Sequence, residues 1–330
     1  MKKYFLITLL TLFLFSCTNE KRKADLTGID FEIKIQRFDK DFWALKTSKN
    51  QAEDLQKLYE KYPDFAPLYF NHIIYLGDDK ELILKFINDT VADKLYSDVL
   101  KKFDDVEKIE KQLTNAFRRG HYFFPQLSVP QCVMCVSLLN QNVIVSDSLI
   151  ALGIDKYLGA DYPLYELSPE NYPYLLANWR PEKVVSDYIF AWLSTEFEFD
   201  PQSERLLDEM IYKGKILYLT SLLLPKEKEE TIMGYSPEQW KWCKKYERDM
   251  WQTLIQQKHL FSTDYFLHIK YLNDAPFTQP FSQESPGRAG VFIGWQIIES
   301  YMKNNPEVTP LQLMQNADAQ GIFEKSGYQP

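Results

Sequence analysis

One stretch of this 330-residue chain breaks the pattern of everything around it: "LSVPQCVMCVSLLNQNVIVSDSLIALGI", residues 127–154, is β-branched and apolar and reads as short strands. On either side the apolar residues recur at three- and four-residue steps instead. "AEDLQKLYEKY" and "VEKIEKQLTNAFRR" do so before it, and "PEKVVSDYIFAWLSTEF" and "ERLLDEMIYKGKILYLTSLLL" after it. An early segment, "FEIKIQRF", alternates Phe31, Ile33 and Ile35 with polar residues, as a half-buried strand does. Regular βαβ alternation is absent, so the expected fold is α+β, mainly helical, with a small central sheet. The expected organisation is one globular unit over 31–330, with helical halves at 31–125 and 155–330 flanking a sheet at 127–154. With 45% hydrophobic and 15% aromatic residues, the chain can bury a substantial core. It contains no internal repeat and no low-complexity tract.

The first residues point to a compartment. Lys2 and Lys3 precede an apolar run, Tyr4–Phe15, that is too short to span a bilayer and reads as an export signal. "LFSC" then sets Leu14 three residues before Cys17, with small Ser16 between. This resembles a bacterial lipobox, whose cysteine becomes acylated. Residues 1–16 are therefore expected to be a lipoprotein signal peptide, Cys17 the lipidated residue, and polar 17–30 a tether. More than one acyl chain anchors a protein stably, so the body should be held at a membrane without spanning it. Phe15 departs from the smaller residue usual at its position. Lys21, Arg22 and Lys23 follow where a surface-exposure signal would be acidic, which favours a periplasm-facing body.

Of 38 basic and 46 acidic residues, removal of the signal takes two lysines, so the mature charge falls from -8 to -10. No basic stripe stands out, which argues against nucleic acid as a partner. Three further cysteines remain. "CVMC", holding Cys132 and Cys135, invites a redox or zinc reading, but on a strand an offset of three sends the thiols to opposite faces. No second cysteine pair or nearby histidine completes a site, so structural burial is the expectation, and no metal or cofactor is expected.

The four histidines, His72, His121, His259 and His268, include no pair four apart, so the zincin helix is absent. A Gly-x-Ser-x-Gly elbow is absent too. "TEFEFD" alternates Glu196, Glu198 and Asp200, which reads as acidic decoration of a helix end. A hydrolase could still draw two carboxylates from anywhere in the chain, although nothing selects a pair. In "SPEQWKWCKKYERDMW", Ser236 and Pro237 mark a helix start, and Trp240, Met250 and Trp251 are spaced for burial.

In "ESPGRAGVFIGWQIIESYM", residues 284–302, three glycines and an arginine stand at a helix start. Ser285 is the expected cap, with Pro286, Gly287 and Arg288 in the first turn. The glycine spacing matches neither the dinucleotide fingerprint nor the Walker loop. Gly287, Gly290 and Gly294 share one helical stripe and suit close backbone packing. A cation at a helix N-terminus is mildly unfavourable, so Arg288 should pair with Glu284 or a distant acid in preference to an anionic ligand.

Beyond the lipobox, "YLGADYPLY", "MIYKGKILYLTSLLLP", "GYSPEQWKWCKKYERDMW", "NDAPF", "ESPGRAGVFIGWQIIESYMKNN" and "GIFEKSGYQP" occur in an order that resembles the gliding-motility lipoprotein B (GldB) family of Bacteroidota. The departures are Tyr162 for a histidine, Tyr246 for an asparagine and Thr278 for a serine. The resemblance implies an envelope lipoprotein, a non-catalytic accessory of gliding motility and the associated protein-secretion machinery with envelope protein partners. Asp161, Lys213, Glu247, Arg288 and Trp295 are its signature positions of structural or binding role. A more distant similarity is to predicted zinc proteases. On that alignment Ser186, Asp187 and Phe190 occupy the zinc-motif positions and Lys213 replaces the third, Glu ligand. It implies a degenerate, non-catalytic zincin-like scaffold, since a hydroxyl, an aromatic ring and a cation cannot rebuild a zinc site. The alternatives are an envelope hydrolase using carboxylates, marked by clustered buried acids, and a small-ligand binding lipoprotein, marked by a large apolar pocket.

Overall fold

The computed structural model describes residues 23–200 and 203–330; Cys17 and the signal segment lie outside them. Four strands, β1 (Ile35–Arg37), β2 (Gln131–Cys135), β3 (Val143–Val145) and β4 (Leu149–Gly153), form one mixed sheet in the order β1-β2-β4-β3. β1 and β4 run parallel to β2, with Ile35 opposite Cys132 and Cys132 opposite Ile150, while β3 returns antiparallel to β4. Helices enclose it, so the fold is mainly helical α+β. β4 is buried at every position and β2 at all but its first, as expected for strands covered on both faces. That double cover explains how Cys132 and Cys135 can point to opposite faces and both be buried, free thiols. Cys132 lies against the Tyr188 hydroxyl, and burial pushes both thiols well up from their ordinary range.

Among the described residues six helices have thirteen residues or more: α1 (Thr90–Lys102), α2 (Glu107–Phe123), α3 (Val184–Glu196), α4 (Leu206–Leu223), α5 (Pro237–Gln256) and α6 (Ala289–Asn304). Their starts follow local chemistry. Asp89 accepts hydrogen bonds from the Val91 and Ala92 amides to cap α1. Ser236 and Gln239 form a reciprocal capping box on α5, with Pro237 in the first turn. α5 is kinked at Tyr246, where the backbone leaves helical geometry.

α4 is the central element of the C-terminal half, with an apolar surface nearly all round. Its Gly214 meets Gly294 of α6 so closely that a methyl on either would collide with backbone of the other helix. The start of α6 differs from expectation. Its first residue is Ala289, and Arg288 occupies the cap position in the left-handed conformation, φ +58°. Ser285 does not cap. Thr278 does, accepting from the Ala289 amide at 2.9 Å through Oγ1, which also donates to the Pro286 carbonyl at 2.7 Å. Ser285 Oγ instead receives the Thr278 amide at 3.1 Å, and Gly287, outside the helix, lies on the backbone of Ala275. The "NDAPF" and "ESPGR" segments are thus one stitched unit, and the cap comes from eleven residues upstream where no local pattern displays it.

The chain entering the body is fastened to one face of α2. Arg118 Nε donates to the Phe31 carbonyl at 2.9 Å and its Nη2 to Asp30 at 3.0 Å. Thr114 Oγ1 accepts from the Ile33 amide at 2.9 Å, and Glu110 from the Ile35 amide at 3.0 Å. Glu110, Thr114 and Arg118 are four apart and therefore line up along the helix.

Candidate functional site: a cationic cleft beside α3 and α6

The first turn of α3, the start of α6 and the loop after β4 enclose a polar cleft of about 260 Å³. Asn142, Lys156, Asn178, Lys183, Asp187 and Arg288 are among its walls. Lys183, the residue at the cap of α3, and Asp187 in its first turn are four residues apart, and their charges meet at 2.8 Å. The Lys183 side chain is buried, and its ammonium also donates to the Thr231 carbonyl at 3.0 Å. Asp187 receives the Tyr157 hydroxyl at 3.0 Å; burial, then Asp187, pushes the pKa of that phenol well up. Across the cleft Arg288 Nε pairs with Asp274 at 3.0 Å, and its Nη2 donates to the Met233 carbonyl. The expected structural ion pair therefore exists, and its acid is the distant one, Asp274, ten residues from the nearer Glu284.

Lys156 is different. Its ammonium sits 4.1 Å from the centre of the Trp179 ring, no ion pair holds it among the described residues, and burial lowers its pKa although neighbouring Asp155 opposes this. Asn178 Oδ1, in the same cleft, is buried without a hydrogen-bond partner. Lys213 of α4 belongs to the same electrostatic neighbourhood. Burial chiefly lowers its pKa, and it senses Glu209, Arg288 and Asp274.

The signature positions do not form one site. Arg288 and Lys213 share the cleft region. Trp295 is fully buried in α6, where its indole donates to Glu299 at 3.1 Å and its ring packs 5.7 Å from that of Trp240. Glu247 accepts the Tyr328 hydroxyl at 2.9 Å and fixes the C-terminal segment. Asp161 is exposed on a loop, beside Gly159 with its φ of +120°. Of the zinc-motif positions, Asp187 faces the cleft, whereas buried Ser186 donates to the Lys183 carbonyl of its own helix at 3.0 Å. Among the described residues no three His, Cys, Asp or Glu side chains gather closely enough to hold a metal ion.

The sequence profile described as gliding motility protein GldB matches residues 19–330. The chain belongs to the GldB family. Membership places it among the gliding-motility lipoproteins, and no described helix is long and apolar enough to cross a membrane. Neither a functionally curated protein nor a solved structure matches the chain. In this GldB-family chain the cleft residues missed from sequence, Lys156, Asn178 and Lys183, come from segments without a motif, and their shared wall arises only on folding. The single local signal was the four-residue spacing of Lys183 and Asp187.

Proposed function

We propose that this chain is a lipid-anchored, non-catalytic accessory of gliding motility and the associated protein-secretion machinery, facing the periplasm and acting by binding envelope protein partners. Family membership supports the motility assignment. The observation that carries the non-catalytic reading is the state of the cleft carboxylates. Asp187 is held by Lys183 at 2.8 Å and Asp274 by Arg288 at 3.0 Å, so each carboxylate is already committed to a cation of the chain and neither pairs with the other as an acid and base flanking a substrate would. Among the described residues the two acids with no exposed surface, Asp39 and Asp155, serve elsewhere. Asp39 pairs with Arg37 at 2.6 Å, and Asp155 accepts the Ser137 amide at 2.7 Å. Neither lines the cleft.

Crosslinking and pull-down from intact envelopes, comparing the wild-type chain with Cys17→Ala, tests this reading. A specific set of envelope proteins should be captured by the wild type and depleted with the variant. Recovery of no envelope protein from the wild type would refute the accessory role. Stoichiometric zinc together with peptide cleavage by the purified chain would refute the non-catalytic one.

A further inference from the structure

A groove of about 700 Å³ adjoins the cleft, and Lys156, Leu175 and Trp179 line both. Its walls are mainly apolar, and apolar side chains stand out at its rim, with Tyr75 68% and Leu167 70% exposed. We propose that this groove and cleft together bind the C-terminal end of a partner polypeptide, apolar side chains in the groove and the terminal carboxylate at Lys156. The proposal rests on the accessory reading and names the partner chemistry.

Three observations select this occupant. First, the charges are ordered: Lys156, which forms no ion pair among the described residues, lies where groove meets cleft, while Asp89 and Glu170 line the groove alone. A chain carrying its negative charge at one end fits that order, and basic residues further back would meet the acids. Second, Asn178 presents a buried, unpartnered amide oxygen in the cleft. The last peptide N–H of a chain end is a donor that would satisfy it, whereas a fatty acid has a carboxylate and no such donor. Third, the groove wall is pre-set. Leu138 and Leu139 both have positive φ, 58° and 64°, a conformation that disfavours branched side chains. Asp155 holds them there by accepting the Leu139 amide at 2.5 Å and that of Ser137. Asn140 of the same turn donates to the Ile73 carbonyl at 3.0 Å. Backbone strain fixed in this way beside a cavity reduces the ordering required on binding.

The test uses the full chain in lipid nanodiscs and a library of short random peptides displayed with free C-termini. Peptides with apolar terminal residues should be enriched. Amidation of the selected peptide should weaken binding about tenfold or more, and Lys156→Gln should do the same to the free acid without changing the circular dichroism of the chain. Glu307→Gln, exposed and part of neither groove nor cleft, should bind as the wild type does. Failure to enrich any peptide, or equal binding of acid and amide, overturns the proposal. So does retention of a stoichiometric fatty acid by the chain in native mass spectrometry, which would assign the groove to a lipid. Each of these results leaves the envelope pull-down unaffected, so the two readings fail separately.

Discussion

Gly214 of α4 and Gly294 of α6 face each other without a side chain between them, and the two helices meet backbone to backbone at that point. Adding a methyl forces two largely buried helices apart. Gly294→Ala is expected to lower stability by about 2–4 kcal/mol, read as a reduced urea midpoint at unchanged slope. An unchanged midpoint would show that the contact is looser than described.

The Lys183–Asp187 pair makes a prediction about order of removal. Lys183→Met strands the partly buried Asp187 carboxylate and frees the Thr231 carbonyl, which should cost about 3 kcal/mol. Adding Asp187→Asn should recover about 1 kcal/mol of that loss in a double-mutant cycle. Strict additivity of the two changes would mean that the charges do not interact.

Lys215 supplies a pH dependence. Its ammonium donates to the Asn316 carbonyl at 2.6 Å, and burial pushes its pKa down to about 8 from 10.5. The cavity beside it is also lined by Glu198, Asp200 and Asp208. Between those two pH values the unfolded chain holds the proton and the folded chain has released it, so stability rises with pH. The rise attributable to Lys215 is about 3 kcal/mol. The buried thiols Cys132, Cys135 and Cys243, whose pKa values are pushed up, act in the opposite direction over this range, so the check is a difference: from pH 8 to 10.5 the wild-type denaturation midpoint should gain on that of Lys215→Met, and parallel profiles would contradict this.

At Arg288 backbone and side chain can be separated. Arg288→Ala keeps the cost of a positive φ and loses the contacts to Asp274 and Met233, whereas Arg288→Gly loses the same contacts but relieves the backbone. The glycine variant should therefore be the more stable of the two by about 1 kcal/mol. Equal melting curves would argue against a strained backbone there.

The C-terminal signature closes through Glu247 and Tyr328. Tyr328→Phe removes a hydrogen bond to a carboxylate and is expected to cost about 1–2 kcal/mol by denaturant titration, with amide exchange accelerated over the last residues. An unaltered exchange pattern would show that the segment is held by the packing of Trp251 on Tyr328 alone.

Periodicity found the elements of this fold because most are long or strongly patterned: β2 reads as a continuous apolar run, and α5 begins with its own cap and proline. At the start of α6 the sequence points to the wrong cap, because Ser285 and Pro286 look like a local one while the true cap, Thr278, arrives from an earlier loop. The groove was illegible for a related reason. Lys156 and Asp89 are far apart in sequence, and a leucine pair carries no mark of positive φ when an aspartate sixteen residues beyond Leu139 enforces it. Arg288 was legible as a residue needing an acid, although sequence could not say which one.

The fastening of residues 30–35 to α2 has a mechanical consequence. If the body is tethered through lipid on Cys17, as proposed above, tension between the membrane and anything gripping the body would load the contacts of Asp30 and Phe31 with Arg118, of Ile33 with Thr114 and of Ile35 with Glu110, beside the three-residue pairing of β1 with β2. Those side chains share the load along a seventeen-residue helix packed on the core, in place of peeling an edge strand from its neighbour one bond at a time. The mooring point of this lipoprotein is α2, and the sheet is sheltered behind it.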